Sequence, residues 1–283
     1  MKEIKLFLDK TNHWVSNIEI LETLKEIEAN NCDILYIHSA LSFGNPNSNL
    51  KRQEILQSLY DVIMALNVRT ICMPTFTFSF CNGLAYNPET SISKMGILNE
   101  FFRKQKDVIR SNDPLLSVAL NGVDKDLVER IGKSSIGANS TFDKIRHRKN
   151  VKFLFFGPKI GDCLTYMHYL EWLYSCDYRY DRSFIGDVII NGQSTIEEYN
   201  IFVRYKGVIP NTASYKYEQI MYDSGLAKIV KCGNSTISIV DKEIATKEYK
   251  NCLDESPFYF VDFEYGKLVK DKTFIMEKEM VAL

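Results

Sequence analysis

An excess of charge of either sign is missing. Thirty-five Lys and Arg stand against 36 Asp and Glu, so the chain has neither the basic surplus of a nucleic-acid binder nor an acidic surplus that attracts polycations. The expected partner is a small molecule that is not strongly cationic, and nucleic acid is not expected. No apolar run approaches the roughly 20 residues that a membrane span needs. The N-terminal MKEIKLFLDK lacks the apolar centre and small-residue cleavage site of a signal peptide. No membrane partner and a cytoplasmic location are expected. Cys32, Cys72, Cys81, Cys163, Cys176, Cys232 and Cys252 form no CxxC pair and several sit in apolar runs, the pattern of reduced core cysteines. A zinc site or disulfide framework is not expected, and no metal is called for. Repeats, low-complexity tracts and Pro/Gly-rich linkers are also missing, so residues 1–283 read as one unit, with homo-oligomer formation left open.

What is present alternates between helix and strand. SNIEILETLKEIEANN opens with Ser16 and Glu19 in capping-box spacing and sets Ile18, Leu21, Leu24 and Ile27 on one stripe. DILYIH reads as a buried strand, LKRQEILQSLYDVIMAL as a helix and VRTICMP as a second strand. This alternation predicts a three-layer α/β/α fold with a mixed, partly parallel central sheet. After residue 180 the texture changes. DVIINGQSTIEEYNIFVRY carries Asn-Gly, and LAKIVKCGNSTISIV carries Gly-Asn, between strand-like runs. The C-terminal third is therefore expected to add antiparallel hairpins to the sheet.

Ligand chemistry in such folds gathers where strands end. LYIHSALSFGNPNSN leaves the first strand through small and polar residues. It reads either as a backbone nest for phosphate or as an ordinary polar loop, and it is neither a Walker loop nor GxGxxG. MPTFTFSF places Thr75 and Thr77 at the end of the second strand. IRSNDPLLSVALNG sets Arg110 and Asp113 at a proline-fixed turn, where a surface salt bridge is the commoner outcome.

Only four histidines exist, and few groups titrate near neutral pH without one. His13 flanks the first helix, His147 lies in the basic stretch KIRHRKN, and His38 ends a strand. His168 alone, in LTYMHYLEW, has a carboxylate at helical spacing. Thr165, His168 and Glu171 drift by only ~60° at each step, so all three share one third of a helix surface. Ion pairs at this spacing are common on helices, but almost no other polar side chain interrupts LTYMHYLEWLY.

The order HSAL, MPTFT, MGILNEFFR, RSNDPLLSVALNG, NSTFDKI and TYMHYLEW resembles the aminoglycoside 3-N-acetyltransferase family. That family's pattern runs HSSL, MPTFT, MGxLxExFR, RSxHPxxSxAAxG, a Ser-Pro-Phe loop and TxxHxxE. The resemblance covers roughly residues 34 to 180 and fades toward the end. It implies a single domain over 1–283 that moves an acyl group from coenzyme A to an amine of a sugar or aminocyclitol. It also implies His168 as the base, Glu171 as its orienting partner or a holder of the incoming ammonium, and Thr165 as a donor to the oxyanion or thioester. For coenzyme A it implies His38, Ser39, Ala40 and Leu41 of the HSALSFG loop, with Thr75, Arg110, Ser117, Ser140 and Phe142.

Two departures matter. Asp113 stands where the family has histidine, so that histidine's role does not carry over; Asp113 reads either as a partner for an acceptor ammonium or Arg110, or as a turn-capping residue. Ser140-Thr141-Phe142 replaces Ser-Pro-Phe. The resulting reading is an acyl-CoA-dependent N-acyltransferase acting directly in a ternary complex on an amino sugar, for instance one of surface-polysaccharide synthesis. An aminoglycoside-modifying resistance enzyme is the alternative, and a non-catalytic sugar- or nucleotide-binding protein the rival from another class. Loops at 43 to 50, 80 to 95 and 175 to 185 are expected to shape the acceptor site.

Overall fold

Ser16 opens the first helix as its spacing predicts, and by half of the expected device. In the computed structural model, which describes residues 1–263, strands β1 (Lys5–Leu8) and β2 (Trp14–Ser16) form a hairpin that runs into α1 (Asn17–Glu26). Ser16 Oγ accepts from Glu19 N at 3.2 Å, whereas the Glu19 carboxylate turns to His13 Nε2 at 2.8 Å. The buried face centres on Ile20, Thr23 and Leu24, while Ile18 and Leu21 are half-buried. The apolar stripe is thus rotated from the predicted one, and the helix Arg52–Met64 packs against α1.

The chain continues through β3 (Ile34–Ser39), β4 (Asn45–Pro46), α2 (Arg52–Met64), β5 (Thr70–Pro74), α3 (Ile97–Phe102), β6 (Val108–Arg110) and β7 (Val118–Gly122). Then follow α4 (Thr141–Arg146), β8 (Val151–Gly157), α5 (Ile160–Cys163), α6 (Tyr166–Leu173), β9 (Arg179–Ile190) and β10 (Gln193–Arg204). The last described elements are β11 (Val208–Pro210), α7 (Ala213–Asp223), β12 (Ala227–Cys232), β13 (Ser235–Asp241), α8 (Lys242–Glu255) and β14 (Val261–Phe263).

Seven strands make the central sheet in the order β12-β13-β8-β3-β5-β7-β6. β3 is parallel to both β8 and β5, with Ile34 opposite Val151 and Thr70; every other pairing is antiparallel. Strand alternation sends Leu35 and Ile37 to one face, against α1, α2 and α3, and Tyr36 to the other, against α4, α6, α7 and α8. These are the three layers that the helix–strand alternation predicts. All seven residues of β8 are buried, as a strand covered on both faces requires.

The two C-terminal hairpins part company. β12 and β13 extend the sheet beside β8, as expected. β9 and β10 instead form a separate ribbon of 12 residues per arm, closed by Asn191 (φ 51°) and Gly192 (φ 77°). Their Val188, Tyr199 and Ile201 join the core under α6, while Ile185 and Ile196 point outward. Both edges of the ribbon are met by loops, through Tyr86 opposite Val188 and Ser134 opposite Asn200, so neither is offered to the sheet.

Candidate active site

β8, β3 and β5 run the same way, so Gly157, Ser39 and Pro74 end on one edge of the sheet, where α/β ligand sites form. Buried Asn99 ties that edge together: its Oδ1 accepts from Ser39 Oγ at 2.5 Å and its Nδ2 donates to Pro74 O at 2.7 Å. Gly157 sits at φ +105°, where a Cβ would fall 1.8 Å from Ala40 O. Only glycine lets the loop after β3 fold across the end of β8, and Ala40 and Ser42 lie exposed on the shelf that results.

α6 follows from β8 through Pro158 and α5. His168 and Glu171 meet on it, Nδ1 to Oε2, at 2.8 Å. The carboxylate is buried, its side chain 4% exposed, and the imidazole is 46% exposed. Nδ1 faces the protein, and nearly half of the side chain remains open to solvent. Thr165 is at the helix N-cap, and its hydroxyl donates to Cys163 O at 3.3 Å; only its carbonyl reaches His168, accepting the backbone N–H at 3.0 Å. The helical spacing therefore brings two of the three side chains together, not all three.

The dyad has two further partners that periodicity did not reveal. Tyr178 Oη donates to Glu171 Oε1 at 2.6 Å, and Arg179 Nη2 lies 2.8 Å from Glu171 Oε2 and 2.9 Å from His168 Nδ1. Arg179 begins β9 and Tyr178 immediately precedes it, both beyond the helix, where no helical spacing rule applies. Burial by itself would raise the Glu171 carboxyl; Arg179, His168 and Tyr178 outweigh it and hold it at about 2. For His168, desolvation by the surrounding protein and then Arg179 push the imidazole below its ordinary value, against the upward pull of Glu171. Glu171 alone would raise the imidazole; desolvation first and Arg179 second outweigh it.

The remaining candidates divide by exposure. Thr75 and Ser117 are fully buried and bond to each other's backbone carbonyls at 3.1 and 2.8 Å. Arg110 does not pair with Asp113. Its guanidinium is taken up by Thr75 O, Ser91 O and Pro88 O, and it lies over the Tyr86 ring, a clamp between loops rather than a surface salt bridge. Ser140 caps α4 by accepting from Asp143 N at 3.1 Å, and Phe142 is packed in the core beside Tyr36. His38 is buried against Phe155, which pushes its imidazole down to about 3, and its Nε2 has no hydrogen-bond partner. Ser39, Ala40 and Leu41 keep exposure, and so does exposed Lys159 at the start of α5. The hydroxyls of Thr75, Ser117 and Ser140 are engaged within the protein, while Ser39, Ala40 and Leu41 stay accessible on the shelf. At two nearby helix starts one amide is already taken by a carboxylate. At α2, Lys51 N already donates to Glu54 at 2.6 Å, and at α5, Gly161 N donates to Glu218 at 2.8 Å.

Asp113 is buried and its Oδ1 accepts from Leu115 N, Leu116 N and Ser135 Oγ at 2.8, 3.1 and 2.7 Å. Burial raises its carboxyl despite these donors. This is the turn-capping arrangement. Asp113→Ala is expected to cost about 1–3 kcal/mol, because buried donors lose their acceptor, while the acceptor KM of the folded variant stays at the wild-type value. Urea unfolding and steady-state kinetics on one preparation check both halves; a raised KM with unchanged stability contradicts the expectation.

A sequence model of the aminoglycoside 3-N-acetyltransferases matches residues 37–254, well over half of the chain. The chain belongs to the aminoglycoside 3-N-acetyltransferase family. Members are acyl-CoA-dependent N-acetyltransferases, so the chain is an acyltransferase with acetyl-coenzyme A as donor. Among solved structures, aminoglycoside acetyltransferase AAC(3)-Xa superposes with a TM-score of 0.71 at 16% identity, over 84% of this chain and 92% of that one. AAC-IIIb in a binary complex with CoASH gives 0.70 at 15%, over 84% and 96%. YokD from Bacillus subtilis gives 0.68 at 19%, over 83% and 92%. At such identities the likeness is one of fold. No curated protein matches the sequence. Among the described residues no cluster of potential metal ligands forms and no helix is long and apolar enough to cross a membrane.

Proposed function

We propose that the protein acetylates an amine of an aminoglycoside, by direct transfer from acetyl-coenzyme A with His168 as general base. The observation that carries the chemistry is the buried Glu171 carboxylate 2.8 Å from His168 Nδ1. A carboxylate accepting the Nδ1 proton leaves the lone pair on Nε2, where a base needs it. Acetyl-coenzyme A supplies an activated thioester. What the chain must add is removal of the acceptor's proton, since an ammonium group has no lone pair to attack with. Cys163 is a poor alternative nucleophile: burial holds its thiol well above the ordinary value.

Of the two acceptor classes left open by the sequence, the family match favours the aminoglycoside, and nothing found speaks for surface-polysaccharide synthesis. AAC-VIa, a structural neighbour at 15% identity with a TM-score of 0.69, is bound to sisomicin. Charge supports the same choice. Beside the dyad, an open depression of about 700 Å³ is lined by Arg179, Asp177 and Asp181 with Trp172, Phe202 and Tyr205, and His168 itself does not line it. Aromatic faces and carboxylates suit a ring that carries ammonium groups, and the balanced charge of the whole chain does not reveal this local pairing. Part of the segment expected to be an acceptor loop at 175 to 185 is the start of β9.

The test is thiol release from acetyl-coenzyme A with aminoglycosides, free amino sugars and nucleotide-linked amino sugars, each product weighed for one added acetyl group. Aminoglycoside-dependent release is expected. Release only with nucleotide-linked sugars overturns the acceptor assignment, and none with any amine overturns the activity. Acetyl-coenzyme A at 100 times its Kd is expected to stabilise the fold by about 2.7 kcal/mol through mass action. A Tm unchanged by millimolar acetyl-coenzyme A and coenzyme A argues against the binding shelf.

A further inference from the structure

One cation stands inside the dyad. Arg179 is 9% exposed, its Nη1 donates to Phe202 O at 3.1 Å, and its Nη2 reaches both Glu171 Oε2 and His168 Nδ1, at 2.8 and 2.9 Å. A buried guanidinium, anchored at one end to backbone and touching both members of the pair at the other, is a different object from a surface ion pair. We propose that Arg179 is a positioning residue of the acyl transfer: by holding the Glu171 carboxylate it prevents a locked imidazolium–carboxylate pair and keeps the Nε2 lone pair of His168 available. The proposal rests on the reading of His168 as the base.

Charge counting in a poorly solvated site gives the reason. Without Arg179, a neutral His168 beside Glu171 carries a net charge of minus one, and protonation brings the pair to zero. Burial then favours the protonated ring, which cannot accept a proton. With Arg179 the trio is neutral when His168 is neutral, and protonation leaves an uncompensated positive charge. The other charged group acting on the ring is Arg204, a second cation, while Tyr178 acts through Glu171. Desolvation, with two cations against one anion, matches the lowered His168.

Tautomer choice follows from the same contacts. Nδ1 cannot donate to Glu171 and accept from Arg179 at once. When it donates, Nε2 is the base; when it accepts, Nε2 carries the hydrogen and no base remains. Arg179 Nη2 has the charged Glu171 Oε2 at 2.8 Å as its stronger acceptor, which leaves Nδ1–H for the same carboxylate. In the transfer, the acceptor ammonium first gives one proton to Nε2, which passes it to solvent; the free amine nitrogen then forms a bond to the acetyl carbon and gives a second proton to Nε2. The C–S bond breaks, and the imidazolium, acidified by Arg179, returns the proton to the thiolate. The products are the acetamide and coenzyme A thiol.

Four histidines in the chain make the ring directly observable. The NMR resonances of His168, assigned by their loss in His168→Ala, are followed with pH in the wild type, Arg179→Met, Arg179→Gln, Arg179→Lys and Glu171→Gln, alongside kcat/KM. The midpoint is expected to rise in Arg179→Met and Arg179→Gln, to stay near wild type in Arg179→Lys and to fall in Glu171→Gln. The acid limb of kcat/KM is expected to move the same way. A midpoint unmoved or lowered in whichever neutral variant retains native circular dichroism overturns the proposal alone, if the wild-type limb still follows His168. A midpoint that moves while kcat/KM stays flat rejects His168 as the base, and the role of Arg179 in transfer with it.

Discussion

His168→Ala is expected to lower kcat roughly 10²- to 10⁴-fold while acetyl-coenzyme A binds as before, because the imidazole acts on the acceptor's proton and not on the cofactor arm. Calorimetric titration with coenzyme A and thiol-release kinetics, on one preparation, separate the two quantities. The ring is nearly half exposed and touches Glu171 and Arg179 only through Nδ1, so its removal leaves a folded protein. The wild-type acid limb of kcat/KM is expected below the ordinary histidine value, since desolvation and Arg179 lower the imidazole. Wild-type turnover in folded His168→Ala at every pH eliminates this residue as the base and leaves the dyad a structural tie.

Glu171→Ala is expected to damage the fold as well as the chemistry. It leaves Arg179, its side chain 6% exposed, without its carboxylate and Tyr178 without its acceptor, and breaking a buried pair of this kind costs roughly 3–5 kcal/mol. The result separates the two dyad members: stability is expected to fall far more for Glu171→Ala than for His168→Ala. Acid should expose the same contribution. A carboxyl held at about 2 in the folded protein, against roughly 4.3 for an unperturbed glutamate, contributes stability that is complete above the unfolded value and is lost as pH falls through the folded one. Glu171→Gln lacks this component, so its unfolding free energy should decline less between about pH 4.5 and 2. Parallel acid declines in wild type and Glu171→Gln contradict the pairing.

Both variants sit on contacts of unequal visibility. His168 and Glu171 lie three apart on one helix, and a fixed helical rise carries that spacing into space; the 2.8 Å contact repeats a relation already present in one dimension. Arg179 lies eight residues beyond Glu171 at the start of a strand, and its approach depends on the course of the chain through Tyr174 to Tyr178. The same contrast separates Asp113 from Arg110. Asp113 meets amides two and three residues on, a local turn rule, while Arg110 finds Thr75, Pro88 and Ser91 across two loops. Thr165 shows the limit of periodicity: it stands at the helix start, where its hydroxyl turns back to Cys163.

By itself the sequence determined the alternation of helices with the strands of a mixed sheet, both C-terminal turns, the family and the His168–Glu171 pair, all of which follow from local periodicity, turn chemistry or ordered motifs. Tertiary structure alone decided that β9 and β10 form their own ribbon, that Thr75, Ser117 and Ser140 are sealed from solvent, and that Arg179 enters the dyad. Burial and charge contacts depend on which distant segments pack together. Desolvation and a guanidinium, both brought by other elements, can together reverse the pKa shift that a neighbour on the same helix would impose.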